Sequence, residues 1–489
     1  MIHGERFAVC MRRLLDEKGV TLTELTRLLG YKSRNSLFRI LSDQSSSDVE
    51  SNFMQLLKEK DPLKLNAAQW AALEEALEIS RLGLEDFRNN RAIKALVMAE
   101  PFPRGGLKCI QHGKKEEYPF SAALEQFAQC SRVEMTIFGC CNAALFGSFA
   151  DCFAATGESC QVSLTHFMFA GKEEIIHNLM AVQPVLYKSW YKAYFITPGI
   201  CAPETEAILR ASGMLIRAVG QEERWWQMVM LDSERILCSS APGEAVMDVL
   251  KGMLERMGEA IVPLKSEFDD LTNSGEDYLR YTEQYRQLEH GCRIFSLKPD
   301  VPINYIHPDI LISPVMDGFS QAQVADQQDM EQLIRALYDV QLKRYNNFFS
   351  KKKVTHTVFS IKAMERFVHT GTQSDHFFAI RPYTKAERKA ILMQLREHAV
   401  NNPFFWVYFL NDRDMELRSE LTLYEGRGMM FMQADTQYNL AGDHNEALVN
   451  HPALNEKFKH FFMKDLLVHH VMEYNAGMAE LDRLIQILE

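Results

Sequence analysis

Residues 101–106 read PFPRGG, and the hydrophobic pattern has a different period on its two sides. Two prolines fix φ and remove backbone donors while paired glycines hold no preferred conformation, so no regular element passes through such a stretch. The polar run QHGKKEE over 111–117 prolongs the break. Before it, apolar residues recur at intervals of three and four, which predicts helices. After it, helical stretches alternate with short apolar runs, which predicts strands covered by helices. At 489 residues the chain exceeds one ordinary domain. The expected architecture is multidomain: an all-α helix-turn-helix domain over 1–100, a linker over 101–117, an α/β domain over 118–262, and an α/β or α+β sensor domain over 263–489 ending in a long amphipathic helix.

The first forty residues carry the most local detail. Phe7, Met11, Leu14 and Leu15 make one apolar stripe, and Gly19 supplies a stop. Thr21 is placed to cap a second helix, with Glu24 three residues on as a capping box and Leu22, Leu25 and Leu29 facing inward. Gly30 marks a sharp turn and Ser33 caps a third helix buried through Leu37, Ile40 and Leu41. Lys32, Ser33, Arg34, Asn35, Phe38 and Arg39 are left outside, a set suited to base edges in a major groove. Charge agrees: residues 1–44 hold eight Lys/Arg against five acids, a surplus of three, so the remainder carries −14 of the overall −11.

The stretch MRRLLDEKGVTLTELTRLLGYKSRNSLFRILSD, residues 11–43, resembles the phage-repressor or xenobiotic-response-element (Cro-type) helix-turn-helix regulators, with the motif at 21–41. It departs from them in Thr26, where a small residue is usual, and in a turn one residue longer than typical. The resemblance implies double-stranded DNA as partner, a probable homodimer, and recognition helices about 34 Å apart. A packing or protein-interaction module with no DNA is the competing reading.

The region after the break loosely resembles the phospholipase D-like fold, whose strand-borne His-x-Lys-x4-Asp motif supplies nucleophile and phosphate grip. With Asp232 in the acidic place, Trp225 stands where His is required and Gln227 where Lys is required. An indole forms no phospho-enzyme and an amide holds no phosphate by charge. The literal His112-Gly113-Lys114 is followed at that distance by Pro119. The resemblance thus implies a fold without its catalytic site.

Elsewhere the signals are weaker. No P-loop, GxGxxG, HExxH or GxSxG occurs, so no cofactor is expected. Ten cysteines at irregular spacing read as mostly buried thiols, with the adjacent Cys140-Cys141 as an oxidant-sensing alternative. Lys351-Lys352-Lys353 reads as a solvated helix end, Asp375-His376 beside Glu365 as polar groups without a catalytic partner, and His469-His470 as unable to chelate one metal together. No clean internal repeat is visible. Leu467, Val471, Tyr474, Met478, Leu481, Ile485 and Leu488 keep a 3.5-residue period, a coiled-coil seam for a dimer or for packing on their own domain. With no run of about 18 apolar residues, no membrane span or secretory signal is expected and the cytoplasm is the default. The leading expectation is a DNA-binding transcriptional regulator sensing a small-molecule or protein effector. The alternatives are a hydrolase or transferase in the α/β region with a regulatory head, and a protein-binding scaffold or antitoxin-like protein.

Overall fold

The structure is a computed structural model. It describes residues 5–98, 107–113, 116–139, 142–154, 160–169, 171, 174–197, 199, 203–210, 213–220, 223–240, 248, 252, 255, 261–266, 275–299, 301–322, 327–350, 353–373, 381–412, 417, 419–433 and 446–489. Two compact units emerge, Met1–Ala92 and Ile93–Glu489. Among the described residues no helix is long and apolar enough to cross a membrane.

The first unit is a helical head. It comprises α1 (Phe7–Lys18), α2 (Leu22–Leu29), α3 (Arg34–Leu41), α4 (Ser47–Lys60), α5 (Ala67–Leu82) and the start of α6 (Leu84–Met98). Gly19 and Gly30 end α1 and α2 at φ 64° and 79°, the left-handed region glycine enters without a Cβ penalty. Thr21 accepts from the Glu24 amide and Ser33 from the Asn35 amide. The one full capping box recorded in this unit is Asn66 with Gln69, heading α5. Phe7, Met11, Leu14, Leu25, Leu29, Leu37, Phe53, Leu57 and Leu73 close its core.

The second unit holds two mixed sheets. The first uses β1 (Lys108–Gln111), β2 (Glu117–Pro119), β3 (Arg132–Phe138), β4 (Gln161–Phe169), β5 (Tyr191–Ile196), β6 (Gly213–Val219), β7 (Glu223–Met230), β8 (Arg235–Ser240) and β9 (Ile261–Pro263), in the order β2-β1-β8-β7-β6-β3-β4-β5-β9. The helices α7 (Phe120–Ala128), α8 (Ala143–Ala154), α9 (Ile175–Leu186) and α10 (Pro203–Arg210) are threaded between its strands. The second sheet uses β10 (Lys265–Ser266), β11 (Ile294–Lys298), β12 (Thr355–Phe359), β13 (Phe405–Phe409), β14 (Ser419–Tyr424), β15 (Gly428–Gln433) and β16 (Glu446–Val449), in the order β10-β16-β15-β14-β11-β12-β13. Its helices are α11 (Gly275–Glu289), α12 (Pro308–Ala322), α13 (Gln327–Phe348), α14 (Ile361–Thr370), α15 (Lys385–Asn401), α16 (Pro452–His460), a π-helix (Phe461–His470) and α17 (Tyr474–Ile487).

These sheets share one six-strand plan. In each, three strands run parallel (β3-β4-β5 and β11-β12-β13), and from the first of them an antiparallel meander departs on the other side (β6-β7-β8 and β14-β15-β16). The shared topology was hidden in the sequence because the crossovers differ: among the described residues one helix lies between β3 and β4, whereas a 3-10 turn (Ile303–Tyr305) and two helices lie between β11 and β12. Antiparallel pairings outnumber parallel ones in both sheets. β1 lies inside the stretch expected to be linker, paired in parallel to β8. Cys109 of β1 and Cys238 of β8 are buried side by side, with Cα atoms 6.5 Å apart, and Cys10, Cys160 and Cys292 are buried free thiols; Cys140-Cys141 lies outside the described residues.

The C-terminal seam is not one helix. Val471 forms an antiparallel bridge with Leu410, and the Met472 amide donates to the Phe409 carbonyl, so the end of β13 interrupts the periodic stretch. Gly477 follows where a Cβ would come within 3.3 Å of the Phe409 ring, which explains a residue that helix propensity disfavours.

Two stability predictions follow from packing. Gly371 ends α14 at φ 72°, and a Cβ there would sit 2.3 Å from the Tyr383 carbonyl oxygen. Gly371→Ala is expected to cost more than about 2 kcal/mol in urea unfolding, since strain and overlap add. In the head, Leu37→Ala at a fully buried site should cost about 2–5 kcal/mol, while Phe38→Ala at 58% exposure should change stability by less than about 0.5 kcal/mol.

Candidate active site

Strand pleating puts every second residue on one face, and on the second sheet that alternation assembles an unusual surface. Ser296 of β11 lies opposite Thr357 of β12 and Thr422 of β14. Lys298 ends β11, one step beyond the Leu297–Leu421 pair, which brings it to Glu420. Lys298 Nζ donates to Glu420 Oε1, with the two residues 3% and 5% exposed. Thr422 Oγ1 stands 3.1 Å from the same carboxylate oxygen and 3.4 Å from Ser296 Oγ. Tyr305, from the 3-10 turn, covers this face and hydrogen-bonds Thr357. Burial raises its phenol well above the ordinary tyrosine range. The β11 and β12 carboxyl ends meet here, where Ser360 donates its amide to the Lys298 carbonyl and caps α14 through the Ala363 amide.

A second buried ion pair supports that face from behind. Arg344 donates to both carboxylate oxygens of Glu289, at 3.1 and 2.7 Å, and Asn304 adds a bond of 3.1 Å. Lys353 Nζ donates to the Glu289 carbonyl at 2.6 Å and is 5% exposed, its ammonium pushed down by burial. The reading of Lys353 as part of a solvated helix end is therefore corrected; Lys351 and Lys352 lie outside the described residues. Nearby, Tyr285 donates to Glu446 at 2.5 Å.

The corresponding helix-covered face of the first sheet is different in kind. Met135, Ile137, Leu164, Met214 and Ile216 fill it, with His166 as its polar member, bonded to the Tyr191 hydroxyl at 3.0 Å and packed on Phe146. The phospholipase-like positions are structural too. Trp225 donates to Glu223 at 2.8 Å under the Arg217 guanidinium, Gln227 is exposed, and Asp232 binds Arg235 in the hairpin turn.

The other residues singled out by the sequence fall as follows. Lys32, Ser33, Arg34, Asn35, Phe38 and Arg39 are all exposed on or beside α3. Leu481, Ile485 and Leu488 are buried against their own domain together with Leu484, and Met478 packs beside them. Tyr474 donates to the Ala399 carbonyl at 2.9 Å, Val471 bridges Leu410, and Leu467 is half-buried on the π-helix. Glu365 pairs with Arg483, while Asp375-His376 lies outside the described residues. His470 meets Asp465 and Lys94; His469 is exposed. Lys298 and Glu420 escaped sequence reading because they are 122 residues apart and neither belongs to a motif. Their one visible trace is a charge within an apolar run: Lys after IFSL, Glu before LTLY.

No protein-family model matches the chain. No curated protein matches it either. Among solved structures, it is similar to a crystal structure of polyphosphate kinase from Porphyromonas gingivalis, at 15% identity and a TM-score of 0.19. The similarity covers 70% of this chain and 47% of that one, so the chain spans about half the length of the kinase it matches. The comparisons do not bear out the expectation of a DNA-binding transcriptional regulator of the phage-repressor family: the structure matched is that of a polyphosphate kinase, and no family model of such regulators matches the chain. At that TM-score neither fold nor reaction is carried across, and the functional reading rests on the site itself.

Two predictions test the electrostatics. Removing one member of the buried pair strands the other, so Lys298→Met should cost about 3–5 kcal/mol, with much of the loss recovered in Lys298→Met/Glu420→Leu. His356, stacked on Phe295 on the opposite sheet face, is pushed down to about 4, chiefly by burial and then by Arg293. A histidine kept neutral when folded binds protons preferentially when unfolded. Its contribution is therefore complete above pH 6.5 and lost as pH falls toward 4, an effect of about 3 kcal/mol at most. Urea titrations at pH 7.5, 5.5 and 4 should show that loss, and His356→Phe should reduce it.

Proposed function

We propose that the chain is an enzyme, a hydrolase or transferase acting in its α/β body, with the helical head as a regulatory or docking module. The body is read as a duplicated phospholipase D-like fold whose first copy has lost the reactive residues of that family. The second copy carries the site, at the carboxyl edge of its parallel strands, where open α/β sheets receive ligands. The observation behind this reading is the Lys298–Glu420 pair, an ammonium and a carboxylate withdrawn from water among hydroxyls. Buried, hydrogen-bonded titratable pairs of this kind cluster at functional sites.

In this reading Glu420 is the proton acceptor for an incoming water or hydroxyl, and Lys298 offsets negative charge as it develops on the group under attack. Neither step needs a covalent intermediate. The test is turnover by the full-length chain of p-nitrophenyl esters and phosphodiesters, and of a nucleoside triphosphate, between pH 5 and 9. The isosteric Glu420→Gln should retain near-ultraviolet circular dichroism and lose activity by about 10²-fold or more, the usual contribution of a positioned acid or base. Full activity in that variant, or no turnover of any of these substrates by the wild type, would reject the proposal.

A further inference from the structure

Glu420 has a companion whose place is hard to explain by packing alone. Thr422 lies two residues along β14, is 2% exposed, and points its hydroxyl between the Glu420 carboxylate at 3.1 Å and Ser296 Oγ at 3.4 Å. A threonine hydroxyl has one proton to give. Given to the carboxylate, that proton makes the charge-assisted bond, the stronger of the two options. Tyr305, bonded to Thr357 and neighbouring Ser296, continues the hydroxyl row across β11 and β12. The row ends at the Glu420 carboxylate.

We infer that Thr422 is a positioning residue, which holds the Glu420 side chain in one rotamer and in its ionised form, facing Lys298. The inference rests on the proposed reading of Glu420 as proton acceptor. A buried carboxylate has two escapes: taking up a proton, or swinging away from the ammonium. A hydroxyl donor on its own strand opposes both, since it favours the charged form and is fixed by the same backbone. The ionisable groups known to face this carboxylate are Lys298 of β11, Tyr305 of the 3-10 turn and Tyr424 of β14. Burial keeps both phenols neutral, so of these three groups Lys298 is the charged one, and the Thr422 hydroxyl adds a neutral donor beside it.

The experiment is isotope-edited infrared titration of the full-length chain carrying ¹³C-carboxyl glutamate, with Glu420→Gln subtracted to isolate the one band. Thr422→Val, which keeps shape and removes the hydroxyl, should raise the pH at which the Glu420 acid band appears by about one unit or more. Thr422→Ser, which restores the hydroxyl in a smaller side chain, should bring the midpoint back to within about 0.3 units of wild type. An unchanged midpoint in Thr422→Val, or a serine variant shifted as far as the valine one, would overturn the inference and leave only a packing role. Because the readout needs no substrate, the two proposals fail separately. A shifted band in a chain without turnover sinks the enzymatic reading alone, whereas lost turnover in Glu420→Gln with an unmoved band in Thr422→Val sinks the positioning role alone.

Discussion

An ammonium and a carboxylate taken out of water must find each other, and everything around Lys298 and Glu420 follows from that demand. The pair lies on adjacent antiparallel strands at the end where β11 stops, so its geometry is set by sheet register rather than by loop conformation. The hydroxyls of Ser296, Thr357 and Thr422 lie on the same face, and Tyr305 roofs it. Behind them Glu289 and Arg344 form a second closed pair. A half-satisfied network would cost more than an apolar core, so these residues stand or fall as a set.

The two sheets show what divergence can do to one plan. Both have three parallel strands and a three-stranded antiparallel meander, yet their helix-covered faces share little chemistry. The first packs Met, Ile and Leu around a single histidine, and its hairpin holds Trp225 and Asp232 in bonds that serve the hairpin while Gln227 is exposed. The second spends its burial on paired charges. Hydrophobic burial alone stabilises the first sheet at less risk, so the polar composition of the second is the more informative departure.

Much of the local architecture was legible before any coordinate. The caps at Thr21 and Ser33, the glycine stops at Gly19 and Gly30, the inward set Leu25, Leu29, Leu37 and Ile40, and the hairpin around Asp232 follow from residue type and spacing within one turn or one strand pair. What failed to show were relations spanning long separations. The duplication is a match of strand order, not of residues. The 3.5-residue repeat near the C-terminus suggested one helix because nothing nearby in sequence reveals that β13 claims Val471 and Met472 for backbone bonds. The exposed Arg and Asn of α3 were read correctly as outward, but an outward cation does not by itself name a ligand.

By itself, then, the sequence determined periods, caps and turns, since each depends on contacts a few residues apart. It also showed that Trp225 and Gln227 stand where a His-x-Lys-x4-Asp motif ending at Asp232 would need His and Lys. Tertiary structure alone decided that two sheets repeat one topology, that Lys353 is inside, and that Lys298 meets Glu420. Those outcomes depend on which strands pair and in what register, and that choice is made by the burial of the whole face at once, not by any residue within it.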